Sequence, residues 1–460
     1  MTSRALILRL PLLGMLFACG GRTTVAVPDA RPYDAALGLA SFDTAWSRIN
    51  ATYYDSTFRG IDWVGLRDSL RPGVARASQP DEMRRAIRTL FDRLGESHFM
   101  IVPSEIVQAM RGDTAQPSEP GTVGLGFRLV DGKVLVTTVE PGSAADRAGV
   151  RRGWAVERVG RREVAPLLVA HRALDDPTAA RRAAMQLVLR LEASAGTYLG
   201  DTVTLVARET GGKRHTMTMV ATEAPGQLVK YLQLPPQQFH LAHRRYADAA
   251  GCVGWVHFNT WMLPVLPALD RAMESVRDCR GLVLDLRGNL GGVAGLLMGV
   301  SGFFVDTAVS LGTLTSRQTT LRYLVNPRRA TARGESVIPY GGRLAILVDP
   351  LSASASELFT AGMRDIGRAR VFGDTTAGEA LPAAVGRLPN GDLFMHVIAD
   401  FHAPNGERIE ATGVVPDEVI PLRRSVLLRG EDAQLAAALA WAGRTAVQAA
   451  ARGTTPGGRP

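Results

Sequence analysis

Lysine is nearly absent from this chain of 460 residues. Lysine and arginine together number 53, yet the lysines are only Lys133, Lys213 and Lys230, so arginine carries almost all of the positive charge. The arginines are spread along the chain and form no dense basic run. A net charge of +9 distributed in this way indicates a solvated basic surface and argues against a nucleic-acid site.

Cysteine is also scarce. The three cysteines are Cys19, Cys252 and Cys279, and no two of them have the spacing of metal ligands. The sequence therefore predicts no metal site, and no motif in it calls for a cofactor. Export would permit a disulfide between Cys252 and Cys279. Each lies near the start of a predicted buried strand, however, and this position favours two buried free thiols.

The apolar stretch at residues 5–17 is too short to span a membrane, which takes about 20 apolar residues. Its basic flanks and the small residue before Cys19 are typical of a secretory signal. A cysteine directly after the small residue resembles a bacterial lipoprotein signal, in which Cys19 becomes a lipidated N-terminus. The alternative is an ordinary signal with an incidental cysteine. We predict a signal peptide over 1–19, a tether over 20–37, and a membrane-anchored protein exported to the cell envelope or periplasm.

The region after the tether is predicted to be a helical domain over 38–105. Its first helix should begin after a Ser41 cap. The apolar stripe of that helix consists of Phe42, Trp46, Ile49 and Tyr53. The polar residues 104–120 contain proline and glycine and are predicted to be a linker.

The second half of the chain has the pattern of an α/β domain over 236–425. Continuous apolar runs alternate with helical patterns there, as they do in βαβ units. Residues 309–336 lack a period and are predicted to be a long loop. A C-terminal helix over 430–450 and a disordered tail over 451–460 should follow. The apolar runs lie at residues 253–258, 282–286 and 344–348.

Between these regions, short alternating strands indicate a small β-rich α+β domain over 118–222. Its segments 139–145 and 148–150 match those that follow the carboxylate-binding loop of a PDZ domain, and a helix around 181–191 would form the groove wall. In such a domain, backbone N–H groups capture a peptide C-terminal carboxylate while the peptide pairs with a strand edge. The predicted carboxylate loop consists of Gly124, Leu125, Gly126 and Phe127.

The motif SASASE at residues 352–357 lies between the apolar run at 344–348 and a helical pattern. A serine at such a strand-to-helix turn is close to unpaired helix N–H groups, which stabilise developing negative charge. Three serines in this position are equally compatible with a simple helix cap. The local pattern alone does not distinguish a nucleophile from a cap.

The wider pattern resembles the carboxyl-terminal processing (tail-specific) serine peptidases, with which it shares motif identity and order over nearly all of the mature chain. The resemblance implies an α/β peptidase core of the ClpP/crotonase-like type with Ser354 as nucleophile. The oxyanion donors would be the N–H of Ala355 and that of Gly291 or Gly292. Asp285 and Arg287 would fix the glycine-rich loop. The motifs are residues 285–292, 352–357, 365–369 and 413–417.

The base distinguishes two branches of that family. In one, a lysine lies 25 residues after the serine, but this chain has Glu379 there and no lysine after Lys230. A Ser–Lys pair is therefore excluded within the core, unless one of the remote lysines reaches in. The other branch resembles the tricorn protease core and uses a histidine, a preceding serine and a distant glutamate.

The residues that match this second branch are His98, Ser97 and Glu410. His98 would accept the Ser354 proton, and Ser97 would orient the imidazole directly or through Glu410. Alternatively, His98 could be a half-buried structural histidine and Glu410 a carboxylate at the rim of the site. Other histidines that compete for the role of base are His240, His243 and His402.

The resemblance predicts a serine endopeptidase that binds and cleaves unfolded or C-terminally exposed polypeptides in the cell envelope. Its partners would be polypeptides held through their C-termini and a membrane reached through Cys19, with no nucleic acid. One rival is a non-catalytic, lipid-anchored PDZ scaffold with a degenerate core, which Glu379 favours. A hydrolase of non-peptide substrates on the same fold is a further alternative.

Overall fold

The computed structural model describes residues 33–111, 119–234 and 236–444. The signal peptide with Cys19, the first part of the tether and the tail at 451–460 lie outside these ranges. Among the helices in the described ranges, none combines the length and the apolar character that a membrane crossing requires.

The N-terminal region is helical, and its first helix begins earlier than predicted. Asp34 caps this helix by accepting a hydrogen bond from the Leu37 N–H, whereas Ser41 lies inside the helix and donates to Leu37 O. The predicted Ser41 cap is therefore wrong, because an acidic cap lies two turns upstream. The elements are α1 (Ala35–Thr52), α2 (Trp63–Ala75), α3 (Pro80–Leu94), β1 (Met100–Val102) and α4 (Ser104–Arg111).

The helices of this region share a hydrophobic core with the second half of the chain. Phe42, Ile49 and Tyr53 are fully buried and pack in one cluster with Phe394 and Val397. Strand β1 pairs with residues 393–397, which extends the contact by backbone hydrogen bonds. The helical region is therefore packed onto the core.

Part of the predicted linker is structured. Helix α4 begins directly after Pro103, and its Val107 packs against Val102 and Leu393. The prediction of a linker over 104–120 is wrong for this helix, because a single buried side chain among residues 104–108 gives too weak a periodic signal.

Residues 120–223 form a β-rich unit. Its main sheet has the order β3-β4-β5-β8-β9, with β3 at one edge and the long helix α7 beside it. The elements are β2 (Pro120–Thr122), β3 (Leu125–Val130), β4 (Lys133–Val139), α5 (Ala144–Arg147), β5 (Ala155–Val159), β6 (Arg162–Glu163), α6 (Ala165–Arg172), α7 (Pro177–Ala195), β7 (Gly196–Tyr198), β8 (Thr202–Arg208), β9 (Arg214–Val220) and β10 (Thr222–Glu223).

The rest of the chain is built around a mixed six-stranded sheet of order β13-β14-β15-β18-β19-β23. The first pair is antiparallel and the others are parallel. The elements are β11 (Gln227–Val229), β12 (Gln237–Phe239), β13 (Leu241–Asp248), β14 (Gly251–Phe258), α8 (Val265–Val276), β15 (Gly281–Asp285), α9 (Leu297–Ser301), β16 (Ser310–Thr315), β17 (Thr320–Leu324), β18 (Arg343–Val348), α10 (Ala355–Asp365), β19 (Ala369–Gly373), β20 (Ala383–Arg387), β21 (Leu393–Val397), β22 (Asp400–His402), β23 (Glu418–Val419), α11 (Arg424–Leu428) and α12 (Ala433–Ala442).

Both faces of this sheet are covered, as the continuous apolar runs require. Leu344 and Ile346 of β18 pack with helices α8 and α10, whereas Ala345 and Leu347 pack with α12. The carboxyl end of the central strand β18 leads into helix α10. Ligands commonly bind at the carboxyl ends of such parallel strands.

Two further predictions for this half are wrong. Residues 309–336 contain the hairpin β16–β17, which also pairs with β22, so the region is not simply a loop. Its outer strand is mostly exposed and therefore lacks an apolar alternation. Cys252 and Cys279 form a disulfide, with Cα atoms 4.8 Å apart, because the segment after α8 returns to the start of β14.

Candidate active site

Ser354 lies at the turn between β18 and α10 with a backbone conformation that is unusual for a side-chain-bearing residue. Its φ is 54° and its ψ is −120°. Such a conformation costs on the order of 1–3 kcal/mol and persists where neighbouring contacts enforce it. The Ser354 N–H donates to the carbonyl of Glu379 at 2.8 Å and to the Glu357 carboxylate at 3.1 Å. These bonds hold the turn that carries the hydroxyl.

Glu357 supports this turn from within α10. Its buried carboxylate accepts the Ser354 N–H and also donors from the strand-following segment 376–379. Burial raises the pKa of Glu357 to about 7, although these hydrogen bonds favour the charged form and oppose the rise. The further donors are the Thr376 hydroxyl at 2.5 Å, the Gly378 N–H at 2.7 Å and the Glu379 N–H at 2.9 Å.

A continuous chain of hydrogen bonds joins Ser354 to Glu410. His98 Nε2 lies 3.1 Å from Ser354 Oγ, and His98 Nδ1 lies 2.7 Å from Ser97 Oγ. Ser97 Oγ in turn donates to Glu410 Oε2 at 2.9 Å. Since the Ser97 proton is used in that bond, its oxygen accepts from a protonated Nδ1, which leaves the Nε2 lone pair facing the Ser354 hydroxyl. Ser97 therefore contacts the imidazole directly.

The loop that carries His98 is anchored by the buried side chain of Glu96. His98 itself has φ 58°, in the left-handed region, so it needs such support. Glu96 lies just before the Ser-His pair, and its carboxylate accepts hydrogen bonds from four donors. These are the hydroxyls of Tyr53 and Tyr54, at 2.5 and 2.6 Å, and the guanidinium groups of Arg59 and Arg408, at 3.1 and 2.7 Å.

The electrostatics keep His98 neutral. Burial and, to a lesser degree, the positive charge of Arg182 lower the pKa of His98 to about 4. The imidazole is therefore unprotonated at neutral pH and can accept a proton. This is the protonation state that a general base requires.

Glu410 is buried and makes four hydrogen bonds. It accepts the Ser97 N–H and hydroxyl, the Ala380 N–H at 2.9 Å and the Arg182 guanidinium at 2.8 Å. Burial raises the pKa of Glu410, and Arg182 opposes that rise. With this many partners, the Glu410 carboxylate is fixed inside the site and is not a solvated group at its rim.

Arg182 reaches this cluster from helix α7 of the β-rich unit. Besides Glu410, it donates to the Gly95 carbonyl at 3.1 Å and lies 3.4 Å from the carboxylate of Glu379. Burial raises the pKa of Glu379 to about 8; Arg182 opposes this rise, while Glu410 and Glu357 add to it. The position that holds a lysine in the other branch is thus a buried carboxyl group beside an arginine.

Two of the predicted oxyanion donors, Ala355 and Gly291, lie next to Ser354. The Ala355 N–H is at the first position of α10, where the helix itself supplies no acceptor. The Gly291 N–H is already used in a 3.0 Å hydrogen bond to Asn289 Oδ1. Of the two glycine candidates, Gly292 is therefore better suited to donate. Gly291 itself must lack a side chain, since a Cβ there would lie 2.7 Å from the Cβ of Ser354.

The remaining predicted residues have other surroundings. Asp285 and Arg287 form a buried ion pair at 2.7 Å beside the glycine-rich loop. Among the described residues, the histidine bonded to Ser354 is His98 alone. The competing histidines lie on β13 and β22 or just before β13, and they are His240, His243 and His402.

Sequence reasoning missed Glu357 and Arg182. Glu357 has a sequence signal, because a Ser-x-x-Glu pattern at a helix start is typical of a capping box. Arg182 has none, since it is one of several arginines in a helix of a different unit.

Two family models match this chain. Residues 252–420 match the description "Peptidase family S41", and residues 39–92 match "Tricorn protease C1 domain". Residues 252–420 therefore carry a peptidase family S41 domain. The chain is a serine-type peptidase, in agreement with the resemblance found in its motifs.

Relatives of this S41 peptidase carry related names. Carboxyl-terminal-processing peptidase 3, chloroplastic, of Arabidopsis thaliana is 22% identical over 402 residues, covering 86% of this chain and 71% of that protein. The carboxyl-terminal-processing protease of Synechocystis sp. is 25% identical over 383 residues, covering 82% and 79%. Putative tricorn protease homolog 2 of Streptomyces coelicolor is 25% identical over 407 residues, covering 83% of this chain and 30% of that protein.

The fold of this chain is similar to that of a solved structure, the photosystem II D1 C-terminal processing protease. The TM-score is 0.58 with 21% identity, and the match covers 89% of this chain and 98% of that one.

Proposed function

We propose that this S41 peptidase is a serine endopeptidase in which Ser354 is the nucleophile and His98 the general base. The observation that carries the proposal is the hydrogen-bonded chain from Ser354 through His98 and Ser97 to Glu410. A serine hydroxyl needs a base within hydrogen-bond reach, and 3.1 Å meets that requirement.

In the proposed mechanism, His98 takes the Ser354 proton as the oxygen attacks the scissile carbonyl. Ser97 and Glu410 hold the imidazole in the tautomer that accepts at Nε2 and stabilise the imidazolium. The N–H groups of Ala355 and Gly292 would bind the oxyanion. The imidazolium then protonates the leaving amine, and a water activated by the same histidine hydrolyses the acyl-enzyme.

The substrate would be a polypeptide with an exposed C-terminus, captured by a PDZ domain over 118–222. The edge strand β3 beside helix α7 has the arrangement that strand addition requires. The names of the carboxyl-terminal-processing relatives support the same substrate class.

We further propose that Cys19 carries a lipid that anchors the enzyme in the cell envelope. A Cys19→Ser variant should then leave the membrane fraction, and unchanged fractionation would refute the anchor.

The competing scaffold interpretation is disfavoured by the site itself. A degenerate core would have no reason to keep a strained Ser354 and a neutral, buried His98 within 3.1 Å of each other.

Labelling with a serine-reactive fluorophosphonate tests the mechanism. Wild type should be labelled, Ser354→Ala should not, and His98→Ala should react at least about 100-fold more slowly because the base is lost. His243→Ala, on the exposed part of β13, is the matched control and should label like wild type. Equal labelling of all four proteins would refute the assignment.

A further inference from the structure

The edge strand β3 of the β-rich unit begins within the loop of residues 124–127. Strand β3 pairs with β4 on one side, and within the described chain its other side faces helix α7. Gly124 has φ 77°, and a Cβ there would lie 2.3 Å from the Cβ of Ser143, so the loop requires glycine at this position. Among the backbone N–H groups that follow, that of Phe127 is directed toward helix α7.

One of these N–H groups already has a carboxylate partner from the same chain. Glu192 of α7 accepts a hydrogen bond from the Phe127 N–H at 3.1 Å through Oε1. The same oxygen accepts from the Arg128 guanidinium at 3.0 Å. A backbone N–H together with an arginine is the set of donors that a peptide C-terminal carboxylate needs.

Arg128 links this carboxylate to the peptidase core. Its Nε donates to Asp349 Oδ2 at 2.7 Å. Asp349 Oδ1 in turn accepts the Gly288 N–H at 2.9 Å and the Leu351 N–H at 3.0 Å. These two residues belong to the glycine-rich loop and to the segment before Ser354. Asp349 therefore connects Arg128 both to the glycine-rich loop and to the segment before Ser354.

The groove has room for more than a carboxylate. A cavity of about 280 Å³ lies between β3 and α7, next to Arg128. Its lining is mainly apolar and includes Leu129, Met185, Val188 and Leu351. An extended peptide with apolar side chains near its C-terminus fits this lining.

We propose that Glu192 occupies the position of the substrate carboxylate, so that a polypeptide C-terminus binds by displacing it from Phe127 and Arg128. This inference rests on the proposed role of the unit in capturing C-termini. Displacement exchanges one carboxylate for another, so Arg128 keeps its charge partner while Glu192 moves to solvent. Peptides without a free carboxylate gain nothing from this exchange, which makes Glu192 a filter for true C-termini.

The test uses the full chain with Ser354→Ala, which prevents cleavage. A fluorescent decapeptide with apolar C-terminal residues is titrated in two forms, one with a free carboxylate and one with a C-terminal amide. Fluorescence anisotropy gives the dissociation constants for the parent, Glu192→Gln, Glu192→Ala and the control Glu223→Gln, which is exposed on β10. Thermal unfolding of each variant checks that it is folded.

We expect both Glu192 variants to bind the carboxylate peptide about tenfold more tightly than the parent, because a charge-assisted hydrogen bond no longer competes. The amide peptide should also bind the Glu192 variants more tightly, because the competing carboxylate is gone, whereas Glu223→Gln should bind both peptides like the parent. If the parent prefers the carboxylate but folded Glu192 variants do not bind it more tightly, the displacement is refuted and the capture of C-termini stands. If none of the proteins binds the carboxylate peptide more tightly than the amide peptide, both the displacement of Glu192 and the capture of C-termini are refuted.

Discussion

At the scale of single residues, the site depends on buried carboxyl groups in unlike environments. Glu357 binds backbone donors and holds the turn of Ser354, whereas Glu410 binds Ser97 and Arg182 and holds the histidine loop. Burial raises the pKa of both carboxyl groups. Each is kept in place by its hydrogen bonds, so removing an acceptor should leave buried donors unpaired.

Glu357→Gln tests the first of these roles. In either orientation the amide would direct its N–H groups at backbone N–H groups, those of Ser354 and Glu379 or that of Gly378, and the turn would shift. We expect kcat to fall about 10- to 100-fold with little change in KM, since Glu357 acts through Ser354 and does not meet the substrate. Steady-state kinetics on a fluorogenic peptide measure this split.

The exposed variant Glu407→Gln is the control, and it should retain wild-type kcat. A loss of stability in Glu357→Gln with unchanged kcat would show that the residue is only structural.

At the scale of elements, the residues of the proposed site come from four separate parts of the chain. Ser354 is the N-cap of helix α10, the loop before β1 carries His98, the segment after β22 carries Glu410, and helix α7 supplies Arg182. Pairing of β1 with β21 fixes the histidine loop to the core, so His98 is already within reach of Ser354. Arg182 connects the β-rich unit to this hydrogen-bonded chain through its contact with Glu410.

The pH dependence of kcat/KM tests this contact. The proposed mechanism requires neutral His98, whose pKa is lowered to about 4, so activity should persist below pH 6 and fall as the pH approaches 4. In Arg182→Ala the nearby positive charge is lost, the pKa of His98 rises, and the acid limb should move to higher pH.

Arg190→Ala, about two turns along the same helix, is the control and should keep the wild-type profile. An acid limb near pH 6.5 in wild type, or no movement in Arg182→Ala, would contradict this electrostatic account.

At the scale of the whole molecule, one covalent bond ties the second half of the chain together. The Cys252–Cys279 disulfide closes α8 between β14 and β15, with a sequence separation of 27 residues. Constraining a loop of this length in the unfolded state stabilises the fold by about 3 kcal/mol.

The double variant Cys252→Ser, Cys279→Ser should therefore lose about 3 kcal/mol of unfolding free energy in urea. A reducing agent should destabilise wild type by a similar amount and leave the double variant unchanged. Equal stability of wild type with and without the reducing agent would contradict the bridge.

The sequence by itself determined those features that depend on a local residue pattern or on the order of motifs along the chain. The apolar runs at 253–258, 282–286 and 344–348 predicted the three strands because a fully buried parallel strand is apolar on both faces. The missing lysine excluded a lysine base within the core and so favoured His98, and the order of motifs indicated Ser97 and Glu410 as its partners. The match of residues 252–420 to peptidase family S41 agrees with the resemblance read from the motifs, while the roles of these three residues stay predictions.

Other features were decided only by the tertiary structure, since they depend on contacts between distant segments. The disulfide forms because the segment after α8 returns to β14, and the strand burial of each cysteine says nothing about that approach. Arg182 and Glu192 lie on one ordinary amphipathic helix, and only its packing brings one to Glu410 and the other to Phe127. Side-chain type sets the chemistry that each residue can perform, while packing decides which residues meet.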